Sequence, residues 1–279
     1  MHISLDSAIG QQRRLNQVGE TINSIAAPAA AYSLRSLTGG DPLAVRVRRS
    51  SDDSEQDFTV SGINSGALVD FVGSGNDGFV ETWYDQSGNG NDVIQATASQ
   101  QPKIVESGSL LTAGVTFDQS NSTQLVATDP VITASNTGTY SGFSVQTISN
   151  SESGYVYGNA SPSNGSSVYA QSSTFQVTNK NTASGFDGIA KGSSEQLLSV
   201  VYNNNDAVML VNGGGTTSDG NTYTFSAGTA NFRMGNRSLG TSTGTRLSGA
   251  IREVIVYNSD QTANRTALEA NINSHYSIF

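Results

Sequence analysis

The most pointed local pattern in this chain is Asp85-x-Ser87-x-Asn89-Gly90, followed by Asn91 and Asp92. Oxygen-bearing side chains two residues apart, closed by a glycine, echo a calcium loop, which would make Asp85, Ser87, Asn89 and Asn91 ligands for Ca2+. The bidentate glutamate that completes such a loop is absent, since Ala96 stands in its place. Asn and Gly also suit left-handed turn positions, so a purely structural turn competes with the ion site.

Sugar recognition is the second chemistry on offer. Tyr155, Tyr157 and Tyr169 lie in short alternating segments with Asn159 and Gln171 close by. Rings on one strand face would stack on a sugar while the amides bond its hydroxyls; ordinary cross-strand packing is the plainer reading. Arg46 and Arg48 alternate onto one face beside Arg49 and suit the carboxylate of an anionic sugar. Pairing with Asp52, Asp53 or Asp57 accounts for them more simply.

Glycoside hydrolysis needs two carboxyls, about 5 Å apart for retention or about 6.5–9.5 Å for inversion. Outside the acidic run 52–57, which reads as a solvated loop, no E-x-D or E-x-E pair occurs within an aromatic strand. Glu81, two residues before Trp83, and Glu253 in the final strand are candidates for a groove, though solvent-facing ion pairs explain both. No catalytic residue is assigned. The chain has no cysteine, and its two histidines, His2 and His275, stand at opposite ends. Disulfides and thiolate metal sites are excluded, and neither a serine–histidine pair nor a histidine-ligated zinc is expected.

The elements that would position these residues are mostly strands. Val45–Arg48, Phe79–Tyr84, Phe143–Ile148, Leu197–Tyr202, Val208–Val211 and Ile251–Tyr257 are β-branched or aromatic runs bounded by turn residues. Trp83 sits in an apolar run and belongs to the core. The chain has 30 glycines and only 13% charged residues, a texture of turns and short strands. Two helices frame this body. In residues 7–26, Leu15, Val18, Ile22 and Ile25 form a heptad stripe, too short to stand alone. It must dock on its own body, on copies of itself, or on another protein. Thr262 to Ser274, capped by Ser259 or Asp260, reads as a closing helix. The division expected is an arm at 1–27 and a sandwich at 28–279.

The formal net charge is −9, yet residues 1–49 hold six arginines against three acids. An acidic body disfavours a phosphate backbone, so no nucleic acid is expected as a partner. No run approaches membrane-spanning length, and the start MHISLDSAIGQQRR lacks the apolar segment of a secretory signal.

Three stretches carry a family resemblance. AYSLRSL, AVRVRRSSDDSEQD and WYDQSGNGND, within residues 31–92, resemble the start of the arabinofuranosidase B-type catalytic domain and related segments of phage and marine bacterial proteins. QPKIVESGSLLTAGVTFDQSNSTQL is similar to the segment that follows there. From Leu197 on, LLSVVYNNNDAVMLVNG, FRMGNRS and the run from Ser248 to Phe279 are similar to the closing strands and last helix of laminin G-like domains. The resemblance implies an all-β fold, a two-sheet concanavalin A-like jelly-roll sandwich with a short N-terminal helical arm and a C-terminal helix. That family's carboxylate pair matches no residue here and its cysteines are missing. Three roles are therefore expected to compete. The leading one is a phage virion-associated protein on a particle surface or outside the cell. It would be a homo-oligomer held to other virion proteins by its arm and would display a lectin-like sandwich to host-surface glycans. The others are an arabinofuranosidase-type glycoside hydrolase and a structural decoration protein that binds no sugar.

Overall fold

A computed structural model describes residues 20–133, 139–149, 151–159, 166–179, 188–203, 206–217, 230–236 and 246–279. The first half supplies β1 (Ala30–Ser33), β2 (Leu43–Arg49), β3 (Glu55–Thr59), β4 (Gly78–Trp83), β5 (Val93–Ile94), β6 (Lys103–Glu106), β7 (Ser109–Leu110), β8 (Val115–Phe117) and β9 (Leu125–Ala127). The second supplies β10 (Thr139–Thr147), β11 (Gly154–Asn159), β12 (Ser166–Gln171), β13 (Thr174–Asn179) and β14 (Ile189–Ala190). It closes with β15 (Gln196–Asn203), β16 (Asp206–Val211), β17 (Gly214–Thr217), β18 (Phe232–Met234) and β19 (Gly249–Tyr257). Four helices accompany them among the described residues: α1 (Ile22–Ile25), α2 (Val60–Asn64), α3 (Ala67–Val72) and α4 (Arg265–Tyr276).

All these strands join in one antiparallel ladder. One run reads β17-β16-β15-β10-β19-β1, and the other β3-β2-β4-β5-β9-β18-β11-β12-β13-β14. The two runs are joined by β6 and β8, which pair with β4, with β19 and with each other. At the far end β14 lies against β16 and β17, leaving the ladder nearly closed. A strand that changes partner along its length can serve both runs. β4 does so, pairing with β6 at Gly78–Phe79 and with β5 at Thr82–Trp83.

The principal core lies between the runs and contains Tyr32, Val45, Val47, Val80, Trp83, Tyr140, Tyr157, Val254 and Phe232. Tyr32 stacks on Phe232 at 6.0 Å and meets Trp83 edge-on at 6.3 Å. A second cluster lies on the other face of the β10–β15–β19 run, where Phe143, Val145, Ile255 and Tyr257 are roofed by Leu268 and Ile272 of α4. Each buried aliphatic side chain there contributes about 1.5–3 kcal/mol relative to exposure.

The terminal helix extends over Arg265–Tyr276. Asp260 stabilises the turn before it, accepting from the Thr262 amide at 2.8 Å, whereas Asn264 at the N-cap makes no side-chain cap bond. The expected N-terminal stripe is divided. Ile22 is fully buried in the second cluster and Ile25 packs against it, while Leu15 and Val18 lie outside the described residues. Thr21 and Ser24 cap α1 reciprocally, and Asn271 of α4 donates to the Glu20 carbonyl. Ile22, Ile25 and the Glu20 carbonyl thereby hold this end of the described chain against the body.

Candidate functional site

Cross-strand register assembles a wide groove on one face of the ladder. Arg48 of β2 faces Phe79 of β4, Phe79 faces Lys103 of β6, and Lys103 faces Thr116 of β8. Strands stand about 4.8 Å apart, so these four residues make a row roughly 14 Å long on one face. The turn after β8 walls one side with Asp118, Asn121 and Thr123, and Ala98, Ser99 and Gln101 wall another, enclosing about 720 Å³.

The walls are held by short polar contacts. Asp118 Oδ1 accepts from the Ser120 amide at 2.8 Å and Oδ2 from Asn121 Nδ2 at 2.7 Å. Thr123 Oγ1 accepts from the Asp118 amide at 2.6 Å, closing the loop. Arg48 Nε donates to Gln101 Oε1 at 2.7 Å, and Gln101, only 3% exposed, donates in turn to the Gln95 carbonyl. Phe79 lies beneath two cations, with the Arg48 guanidinium 4.9 Å and the Lys103 ammonium 5.9 Å from its ring centre. Burial lowers the Lys103 pKa, but ion pairs to Asp77 at 2.9 Å and Glu106 at 3.0 Å outweigh it and hold the pKa above the ordinary lysine value. The groove thus offers an aromatic floor, neutral hydrogen-bonding walls, and two carboxylates, Glu106 and Asp118.

The tyrosine set is not one surface. Tyr155 pairs with Tyr169, ring centres 4.9 Å apart. A bulge between Tyr155 and Tyr157 then shifts the register and turns Val156 and Tyr157 together into the core. Asn159 is 1% exposed; its Oδ1 accepts from the Val131 and Ile132 amides and its Nδ2 donates to the Ile132 carbonyl. Gln171 is exposed at the end of β12. A shared face for Tyr155, Tyr157, Tyr169, Asn159 and Gln171 is therefore corrected, because one inserted residue inverts every side chain after it.

In the 85–92 loop, Asp85 Oδ1 accepts from the Ala31 and Ser87 amides at 2.8 and 2.9 Å. Its Oδ2 accepts from Ser87 Oγ and the Asn91 amide at 2.7 and 3.0 Å. Asn89 and Asn91 donate through their side chains to the Ala29 carbonyl. The loop is a staple that clasps the approach to β1. No group of three or more His, Cys, Asp or Glu side chains suited to a metal occurs among the described residues.

The three arginines are ion-paired: Arg46 with Glu55 and Asp57, Arg48 with Asp53 and Arg49 with Asp52. Arg48 has a further part, since it lines the groove. Glu81 accepts from its neighbour Thr82. Glu253 is fully buried, not solvent-facing: Arg35 grips both oxygens at 2.8 and 2.9 Å, and Ser33 and Tyr276 donate to it. The sequence reading missed Phe79, Lys103 and Asp118 as a group. The only signal for it was the alternation Phe79-Val80-Glu81, which marks Phe79 as facing away from the core.

No protein-family model and no curated protein matches the chain. Solved structures do. An arabinofuranosidase complexed with arabinofuranosyl-α-1,2-xylobiose aligns with 88% of this chain at TM-score 0.61 and 17% identity. A GH54 α-L-arabinofuranosidase soaked with a cyclic sulfate inhibitor aligns at TM-score 0.63 and 15% identity. The chain spans 62% of the length of each. At such identity the likeness is one of fold: this chain has the β architecture seen in those glycoside hydrolases.

Proposed function

We propose that this chain is a carbohydrate-active domain that holds a short saccharide in the groove over Phe79. The observation that carries the reading is the row Arg48–Phe79–Lys103–Thr116, an aromatic platform rimmed by amide, hydroxyl and carboxylate groups, on a fold shared with arabinofuranosidases. Sugar C–H faces stack on such a ring, and Gln101, Asn121 and Thr123 suit the hydroxyls. Asp118 and Glu106 are the carboxylates lining the groove and would be the acids that act on a glycosidic bond. Calorimetric titration with arabinofuranosyl-xylobiose tests the reading. Phe79→Ala should weaken binding about 10-fold, the loss of roughly 1.4 kcal/mol. Absence of binding, or binding indifferent to that change, overturns it. Hydrolysis of 4-nitrophenyl α-L-arabinofuranoside, if the wild type shows it, should fall at least about 100-fold in Asp118→Asn or Glu106→Gln.

A second reading is favoured by one observation. The capped α1 is clamped to α4, which holds Glu20 at a fixed point on the surface of the body. That suits display of the sandwich on a particle, with residues 1–19 making the attachment. Deleting 1–19 should abolish particle association and lower the oligomeric state seen by light scattering. Retention of both sinks this reading and leaves the groove reading untouched.

A further inference from the structure

A smaller cleft of about 240 Å³ adjoins the groove at Leu111, where the end of β1, α2, the loop before β8, β19 and α4 meet. Its polar groups are Arg35, Arg252, His275, Tyr276, Asn64 and Thr112, and among the described residues no carboxylate lines it. The apolar remainder is supplied by Leu34, Ile63, Leu110 and Leu111. In a chain of net charge −9, a lining with two guanidiniums, an imidazole and no carboxylate differs from the chain's average composition.

The cations are held in place from behind. Fully buried Glu253 takes Arg35 through Nε and Nη2. Glu195 takes Arg252 through Nε at 2.9 Å, and Thr112 accepts from its Nη2. Both guanidiniums lie over the Tyr276 ring, 5.8 and 5.4 Å from its centre, and His275 meets that ring edge-on at 4.6 Å. Each arginine is thus fixed by one carboxylate and keeps further N–H donors. The planar fork of a guanidinium matches a carboxylate, and four aliphatic walls favour a carbon body that an inorganic anion lacks.

We infer that this cleft is a binding site for a small organic carboxylate with a flat apolar body. Its anionic head would lie among Arg35, Arg252 and His275, and its body against Leu34, Ile63 and Leu110. The site shares Leu111 with the groove over Phe79 but none of its polar lining residues. Burial, followed by the positive charge of Arg35, holds the His275 pKa below the ordinary histidine value, so the empty cleft carries a neutral imidazole near neutral pH. A bound anion favours the imidazolium, against the opposing field of Arg35 and Arg252 and with that of Glu253. Affinity should therefore rise as pH falls from about 7 to about 5.

Calorimetric titration of the full chain with benzoate tests this, with benzyl alcohol and inorganic phosphate in parallel. Benzoate is expected to bind with Kd at or below about 1 mM, and both comparators at least about 10-fold more weakly. Arg252→Gln should weaken benzoate about 10-fold at every pH, and His275→Gln should remove the strengthening at low pH. His275→Gln lies on a half-exposed helix end, so it remains informative if Arg252→Gln unfolds. Benzyl alcohol equal to benzoate would show an apolar pocket alone, and phosphate equal to benzoate a bare oxyanion site. Either result, or no benzoate binding at all, overturns the assignment.

Discussion

At the residue scale, single contacts decide what each chemical group is free to do. Asp52 and Asp53 illustrate groups already committed, since their arginines lie within 2.6 and 2.5 Å. Such pairs are near neighbours in sequence, so charge pattern alone found them. Gly142 illustrates the opposite. It stands on β10 where Tyr157 crosses the core, and an added Cβ would come 2.2 Å from the phenol oxygen. Tyr157 is fully enclosed, and its hydroxyl has no hydrogen-bond partner among the described residues. Gly142→Ala is therefore expected to destabilise by about 1–3 kcal/mol, read from urea midpoints. Pairing it with Tyr157→Phe, which removes the oxygen first met, should recover part of that loss. An unchanged midpoint in the single variant refutes the contact. Nothing in the local sequence around Gly142 announces its partner, 15 residues away across the core.

At the element scale, the 85–92 loop is the clearest case of one spacing with two meanings. Oxygen ligands and αL-tolerant residues are the same residues, and local pattern cannot separate an ion cage from a turn. The tertiary contacts favour the turn, because all four donors to Asp85 are N–H or O–H groups of the protein, one of them the Ala31 amide of β1. Asp85→Ala leaves those donors without their acceptor and should cost about 1–3 kcal/mol. Calcium at millimolar excess should leave the wild-type Tm unchanged, since an ion would first have to displace those donors. A calcium-dependent rise in Tm, lost in Asp85→Ala, would restore the ion reading. The helices show the same limit of local pattern. α4 was legible because it is 12 residues long, with Leu268 and Ile272 one turn apart on one face. α2 and α3, of 5 and 6 residues, are too short to show a period and owe their existence to packing on β2 and β3.

At the scale of the whole molecule, the fold class was legible and the arrangement was not. β-branched runs separated by turn residues specify strands wherever they occur, and the apolar face of each must be buried. Which strand lies beside which depends on pairings between distant residues, such as Ala30 with Val256 or Thr116 with Ala250. That is why the bridging of the two runs by β6 and β8 came only from the structure. Glu253 shows the consequence for chemistry. Its strand reads as one with a solvent face, yet α4 returns to cover that face and converts the acid into a buried partner of Arg35. The groove and the basic cleft depend equally on long-range register. Composition and alternation alone determined that this chain is built of strands with an apolar face to bury, has no disulfide, and forms a helix within 262–274. Only tertiary structure decided which side chains share a cavity, because local pattern fixes the direction of a side chain from its own strand, whereas a site requires several strands to be set in register.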